Sequence, residues 1–490
     1  MKITLKYLGP VKEFTFDLDK DLHIIYGENN IGKSYAISSV YLLLKNFSSN
    51  NLRSSRFYQF SGGKQYDDPS VTSIVNFIRE NKDSSPRTEL SIKGLCEIAL
   101  KDALQTFYIN QLRRSFKNSF SNFDIIQSKF SKEKFQIILD FGPLKVTLSL
   151  KKNQLNFDAV ELDKDVVIKI ISSPRKRSEQ DGKWVYYVNK SGFDDTHTHS
   201  LQENITFLIQ ALWNNAWIEL ANNLGPIYFL PASRSGLYQA MSIFGTLLAK
   251  LSQFRYEMDS GISIPALSEP LSDYFLHLTS IKRKQSKNKL VDIAQNIEKN
   301  ILGAEIRFND ENKQIEYYSS KTGLKLDLSE TSSMVSEIAP IVAFLKYVMV
   351  DDISHLSDPM YEQMYVPNRR KTRGKPLIFI EEPEAHLHPK VQVEMMKIFA
   401  SMVNNNVKVV MTTHSDFMLS KLTNLLLSDT IPASKVASYH MIMTKNGSYD
   451  AGNMKANEEG IEDYNFIDVT EQLYEERINL LEKQNSNASK

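Results

Sequence analysis

Apolar and polar residues alternate with period two at the start of the chain. Ile3-Thr4-Leu5-Lys6-Tyr7-Leu8 and Phe14-Thr15-Phe16-Asp17-Leu18 therefore read as strands, and the apolar run from Leu22 to Tyr26 leads as a third strand into Gly27. Beyond that glycine, Ser34 to Phe47 carries apolar residues at helical spacing, so the opening predicts strand, loop, helix. From Asn46 to Arg87 the composition shifts to Ser, Asn, Gly and Arg, which predicts loops around one short helix at Val71 to Ile78. A long helical stretch from Glu89 to Phe116 follows, with Leu95, Ile98, Ala99, Ala103 and Phe107 on one face.

Period two returns between Phe135 and Asn189 in four runs, which predicts an antiparallel sheet broken by turns. A helix from Leu201 to Asn222 precedes the strand Ile227 to Pro231, and its Trp213 and Trp217, one turn apart, read as core or interface anchors. Helical spacing resumes from Leu237 to Leu302, broken by the basic stretch Lys282 to Lys289. Three short strands (Glu305 to Asn309, Gln314 to Ser320, Leu324 to Ser329) and a helix from Met334 to Val350 lead to a charged loop and the buried-type strand Leu377 to Ile380. A further strand of this type begins at Val407 and presents His414 at its end. There is no internal repeat of solenoid type.

Composition narrows the class. The 490 residues are 42% hydrophobic and 24% charged, an ordinary globular balance with room for two to four structural units. With 59 Lys and Arg against 58 Asp and Glu, the net charge of +1 excludes a polybasic chain, so nucleic acid would have to be held by local patches. One cysteine, Cys96, excludes an intramolecular disulfide and a cysteine zinc cluster and fits a reducing cytosol. The first residues lack the apolar segment of a secretory signal, and the run from Ile338 to Val350 is interrupted by Pro340 and Lys346 and is too short for a bilayer, so the expectation is a cytoplasmic protein without a membrane helix.

The chemistry is carried by Gly27-Glu28-Asn29-Asn30-Ile31-Gly32-Lys33-Ser34, a complete G-x-x-x-x-G-K-S string between a predicted strand and a predicted helix. Such a loop turns backbone N–H groups onto phosphate oxygens, reinforced by the helix N-terminus. Gly27, Asn29, Asn30 and Gly32 form the cradle, Lys33 supplies charge to the β- and γ-phosphates of ATP, and the Ser34 hydroxyl is a Mg²⁺ ligand. Glu381 and Glu382 close the second buried strand. Neighbours on a strand face opposite ways, so we assign Glu381 to the Mg²⁺ shell and Glu382 to the attacking water as general base. His414, at the end of the third strand, is placed to sense the γ-phosphate.

The order phosphate loop, long intervening region, Phe379-Ile380-Glu381-Glu382-Pro383-Glu384-Ala385-His386-Leu387-His388-Pro389, then Thr412-Thr413-His414-Ser415 resembles the ABC-type ATPase heads of the RecF, SMC and OLD class. It is most similar to the AAA_15/AAA_21 group of bacterial ATPases found in anti-phage defence, which also carries a segment like Tyr228 to Leu237. The resemblance implies an α/β fold: a P-loop ABC-type ATPase head with an antiparallel β subdomain and helical insertions. It divides the chain into 1–45 (first part of the head), 46–133 (mainly helical insertion), 134–190 (antiparallel β part), 191–320 (helices and mid-domain strand), 321–450 (second part of the head) and 451–490 (helical tail). It makes Glu384 to His388 the D-loop that meets a partner head and His414 the switch histidine. Ser332 and Ser333 then stand in a signature-like segment that meets the γ-phosphate of the opposite protomer, although Met334 and Val335 occupy positions where the family usually has glycine. An N-capping run explains the same serines equally well. Arg234 is expected near the nucleotide, near the partner head, or in an ordinary salt bridge.

The implied partners are a second copy, head to head, and a separate nuclease or toxin effector, as in the ATPase subunits of Septu, PARIS and some retron systems. By ordinary domain sizes the stretch after His414 is short for another domain, so the expectation is that a nuclease is not carried in it. Asp463 to Lys483 reads as an amphipathic helix ready to dock on the head or on another subunit. Four basic clusters, Arg113-Arg114 with Lys117, Arg175 to Arg177, Lys282 to Lys289 and Arg369 to Lys375, are candidate contacts to nucleic acid or an acidic partner. Asp194 to His199 has metal-binding residue types without metal-site spacing and reads as a polar turn. A RecF- or SMC-like DNA-maintenance ATPase and a nucleotide-dependent oligomeric scaffold are the alternative readings.

Overall fold

The computed structural model describes residues 1–48, 69–85, 88–171, 178–180, 182–189, 201–238, 267–281, 288–310, 313–349, 374–462 and 467–488. In chain order the first elements are β1 (Lys2–Leu8), β2 (Val11–Asp17), β3 (Leu22–Gly27), α1 (Lys33–Ser48), α2 (Pro69–Glu80), β4 (Leu90–Ser91), α3 (Lys93–Phe107) and α4 (Ile109–Phe120). β5 (Gln136–Asp140), β6 (Leu144–Lys151), β7 (Gln154–Leu162), β8 (Asp165–Ile171), β9 (Ser178–Gln180), β10 (Lys183–Asn189), α5 (Leu201–Asn223) and β11 (Leu224–Leu230) follow. The remainder comprises α6 (Glu269–Thr279), α7 (Lys289–Ile297), β12 (Glu305–Asn309), β13 (Gln314–Tyr318), β14 (Lys325–Asp327), α8 (Ser333–Ala343), β15 (Lys375–Glu381), α9 (Pro389–Asn404), β16 (Lys408–Thr412), α10 (Asp416–Leu427), β17 (Val436–Thr444), β18 (Gly447–Asp450) and α11 (Ile467–Ala488).

The chain divides into two compact units. The first holds residues 1–19 and 39–225 with 372–374. Its strands β2, β1, β5, β6 and β7 form an antiparallel meander whose inward positions, such as Ile3, Leu5, Ile137 and Leu139, are buried at every second residue. Helices α2, α3 and α5 bury their apolar faces in the same unit, and Trp213 lies among Phe47, Tyr108 and Phe141, the core anchor its spacing predicts. The run from Phe135 to Asn189 is not one antiparallel sheet. β5 to β7 pair antiparallel, but β8 and β10 pair in parallel in a separate four-stranded sheet with β4 and β9. Alternation marks a half-buried strand without specifying its neighbour, so pairing direction was not legible in it.

The second unit holds residues 20–38, 226–371 and 375–490. Its sheet runs β11-β15-β16-β3-β17-β18, with β15, β16, β3 and β17 parallel. Leu377 to Ile380, Lys408 to Thr412 and Leu22 to Gly27 are buried throughout, as strands covered on both faces must be. Residues of α6 to α10 close over them in one apolar core. The register aligns Glu381 with Thr412 and Thr412 with Ile25, so the carboxyl ends of three parallel strands meet at one edge, where α/β sheets bind ligands. At their other ends, Asp21 accepts from Lys375 at 2.7 and 2.8 Å and pairs with Lys408 at 3.2 Å, tying β3, β15 and β16 together. The side chains of residues 471–482 on α11 are exposed, including Leu473, Tyr474 and Leu480, so this stretch of the tail helix does not dock on its own chain.

Candidate functional site

β3 delivers Gly27 to the carboxyl edge, the loop turns over residues 28–32, and α1 begins at Lys33. Gly27 is irreplaceable on geometric grounds. Its φ is +136°, and a Cβ there would lie 2.3 Å from the Met441 carbonyl oxygen and 2.6 Å from Ile31 Cδ1. Asn30 takes a left-handed φ of +62°, which its short polar side chain tolerates. Glu28, Asn29, Asn30 and Ser34 are exposed, whereas Lys33 retains only 7% of its accessible surface. Its Nζ donates to the carbonyls of Gly27 at 2.9 Å and Glu28 at 2.6 Å. Burial pulls the Lys33 ammonium down to about 8, with the carboxylates of Glu382, Glu384 and Glu28 opposing the fall.

Glu381 ends β15 with its carboxyl group accepting hydrogen bonds from the Ser34 hydroxyl and the Ala232 N–H. Burial raises its pKa, and those bonds pull the other way. The hydroxyl and carboxylate are an all-oxygen pair, the hard donor set that suits Mg²⁺, which takes one or two protein ligands and leaves the rest to phosphate and water. Glu382 departs from the expectation. It is not the next pleat of the strand but lies beyond its end with φ +44°, its N–H donating to the Thr412 carbonyl at 3.1 Å. Strand alternation therefore does not separate the two acids; the left-handed turn does. The turned-out Glu382 carboxylate lies 3.9 Å from His414 Nε2. Burial, then the charge of Lys33, holds His414 below the ordinary histidine range against the pull of Glu382.

One site residue was missed as such. Glu384, expected in the segment facing a partner head, turns inward, and its carboxylate accepts the His414 backbone N–H at 2.6 Å. Burial raises its pKa. The available signal was Pro383, which stops the strand and folds the next residue back on the sheet edge. In the same segment His386 and His388 are exposed, and His388 caps α9 by accepting from the Lys390 N–H at 3.2 Å.

Lys33, Ser34, Glu381, Glu382 and His414 are thus brought together. Ser332 and Ser333 are not: they are exposed at the start of α8, Ser332 accepts the Val335 N–H as N-cap, and no hydrogen bond or ion pair among the described residues links them to the cluster. Arg234 reaches neither a surface nor the phosphate loop; it is fully buried in an ion pair with Glu337 at 3.2 Å. Of the basic clusters, Arg113 is spent on the Leu155 carbonyl and Asn156, both at 2.8 Å. Arg114 and Lys117 are exposed and line a cavity of about 480 Å³ with Asn118, Asn122 and Asn153. Arg175 to Arg177, most of the Lys282 and Arg369 clusters and Asp194 to His199 lie outside the described residues. Lys375 is held by Asp21. Among the described residues no group of three or more His, Cys, Asp and Glu is arranged to hold a metal, and no helix is long and apolar enough to cross a membrane.

A family model described as an AAA ATPase domain, AAA_15, matches residues 1–419. No curated protein matches the chain significantly. Among solved structures, the SMC head domain from Thermotoga maritima is similar over 91% of this chain and 96% of its own, at 8% identity and a TM-score of 0.33. An Smc head domain with an extended coiled coil, bound to the C-terminal domain of ScpA from Pyrococcus furiosus, covers 97% and 98%, at 10% identity and a TM-score of 0.35.

Proposed function

The chain belongs to the AAA_15 family of AAA ATPase domains, and on that premise we propose that it binds Mg·ATP between two copies of itself and hydrolyses it to ADP and phosphate. The observation that carries this reading is the meeting of Lys33, Ser34, Glu381, Glu382 and His414 at one edge of a parallel sheet. The residues divide the work. The loop amides and Lys33 hold the phosphates, while Ser34 and Glu381 hold Mg²⁺. When bound, the ion neutralises charge on the phosphate oxygens. Glu382 takes the proton of a water as its oxygen bonds to the γ-phosphorus and the bond to the β,γ-bridging oxygen breaks, leaving ADP. His414, held low in pKa, orients that water or a γ-phosphate oxygen and is itself held by Glu384. Ser332 and Ser333 at the exposed N-terminus of α8 serve the phosphate bound by the second copy.

Phosphate release tests the assignment. Lys33→Ala is expected to fall to background, and Glu382→Gln to keep ATP affinity while turnover drops at least a hundredfold; unchanged turnover in either overturns it. The finer role, a cytoplasmic sensor or regulatory subunit of an anti-phage system that controls a separate nuclease or toxin, rests on the Glu381 to Pro389 string. Its test is capture of partners by the Glu382→Gln protein in ATP, with a co-purifying nuclease or toxin as the expected result. The cavity flanked by Arg114 and Lys117 favours a DNA-maintenance role, to which recovery of DNA alone would turn the reading.

A further inference from the structure

We propose that Arg234 and Glu337 form a positioning clamp that sets the backbone of the two site carboxylates and joins it to helix α8, an inference that rests on the nucleotide reading above. The guanidinium donates four hydrogen bonds, all to backbone carbonyls, and faces the Glu337 carboxylate as an ion pair. Nε donates to the Glu337 carbonyl at 3.0 Å. One terminal nitrogen donates to the carbonyls of Pro231 at 3.1 Å and Glu381 at 2.8 Å. The other donates to the Glu382 carbonyl at 3.4 Å and pairs with Glu337 Oε2 at 3.2 Å. The second Glu337 oxygen accepts from the Ser235 N–H at 3.2 Å and the Ser235 hydroxyl at 2.8 Å. Both charged side chains are 0% exposed.

The pattern is more than a salt bridge. An ion pair serving packing alone needs one partner, whereas this arginine binds the carbonyls of both site acids in succession. The same turn gives the Ala232 N–H to the Glu381 carboxylate, and its Ser233 has a left-handed φ of +55°. Glu337 sits one turn into α8, about 6 to 8 Å along the axis from the Ser332 cap at 1.5 Å per residue. A change in the tilt of α8 therefore reaches the carbonyls of Glu381 and Glu382 through one rigid fork, and the reverse holds as well. Lysine cannot replace it, because a single ammonium does not span five acceptors.

The test is kinetic, on the full chain, with folding checked by thermal melting. Glu337→Gln keeps the shape and the Ser235 contacts but removes the charge, and is expected to lower kcat at least tenfold while the Kd for ATP stays within threefold. Arg234→Lys should lower kcat further with the same split. Ser235→Ala, which keeps the buried charges paired and stays readable where larger changes unfold the chain, should lower kcat about threefold at unchanged KM. Combining Glu337→Gln with Ser332→Ala should cost no more than the worse single change, because both act through α8. Normal kcat in folded Glu337→Gln and Ser235→Ala, equal losses in kcat and ATP binding, or multiplying losses in the double variant would overturn the clamp. Absence of phosphate release from the unaltered protein overturns the nucleotide reading itself and the clamp with it.

Discussion

Lys33 is a buried ammonium whose nearest acceptors are two carbonyls of its own loop, and its pKa near 8 makes the pH dependence of ATP binding readable. A phosphate prefers the charged lysine. Above pH 8 the free protein loses that proton before binding restores it, so ATP affinity is expected to fall by up to about tenfold per pH unit between pH 8 and 9.5. Titration calorimetry across that range checks it, and a flat Kd contradicts it. The effect on folding has the opposite sign: a lysine pKa below its unfolded value means the folded state releases the proton first, so this group's contribution to stability rises with pH over the same window. Ser34 and Glu381 illustrate what the sequence made readable at this scale, since a hydroxyl after the loop lysine and an acid at a strand end meet where expected. Glu384 and Arg234 illustrate what it did not. Their roles depend on which way a turn folds back after Pro383 and on a helix 103 residues away, and neither is encoded in local spacing.

At the level of elements, the strand, loop and helix around Gly27 were predictable because each has a local cause: a buried apolar run, a glycine that only a missing Cβ permits, and helical spacing after it. The order of the parallel strands was not, since β16 pairs on one side with the nearby β15 and on the other with β3, which lies hundreds of residues earlier in the chain. The clearest elemental prediction is Gly27→Ala. The new methyl group meets the Met441 carbonyl of the neighbouring β17 at 2.3 Å and requires a backbone angle that alanine avoids. A loss of about 3 kcal/mol or more of stability is expected, with ATP binding abolished at temperatures where the chain remains folded. Denaturant unfolding together with calorimetry would detect both. By contrast Gly236→Ala, with open space around the added atom, should change neither.

For the whole molecule, acid stability and assembly are the two observables. His23 is fully buried on β3, stacked on Tyr439, and burial holds its pKa down to about 3. The unfolded chain takes up that proton below about pH 6.5, so stability is lost as pH falls from 6.5 toward 3, at up to about 1.4 kcal/mol per pH unit. In His23→Gln the slope between pH 6.5 and 5 should flatten by that amount in denaturant titrations. Assembly follows from the positions of the two halves of the site. Lys33, Glu382 and His414 cluster at the sheet edge, whereas Ser332 and Ser333 are exposed at the start of α8 with no hydrogen bond to them among the described residues, and the proposed function has a second copy supply those serines to a shared phosphate. In Glu382→Gln, where ATP is bound and not consumed, light scattering should then report twice the protomer mass with Mg·ATP and the protomer mass without it. Adding Ser333→Arg places a bulky side chain at the start of α8, on the surface the partner must approach, and should return the mass to that of one protomer while ATP affinity changes by less than about threefold. A doubled mass that survives Ser333→Arg would move the interface elsewhere on the molecule and leave the serines with the capping role alone, because a helix N-cap needs no second copy.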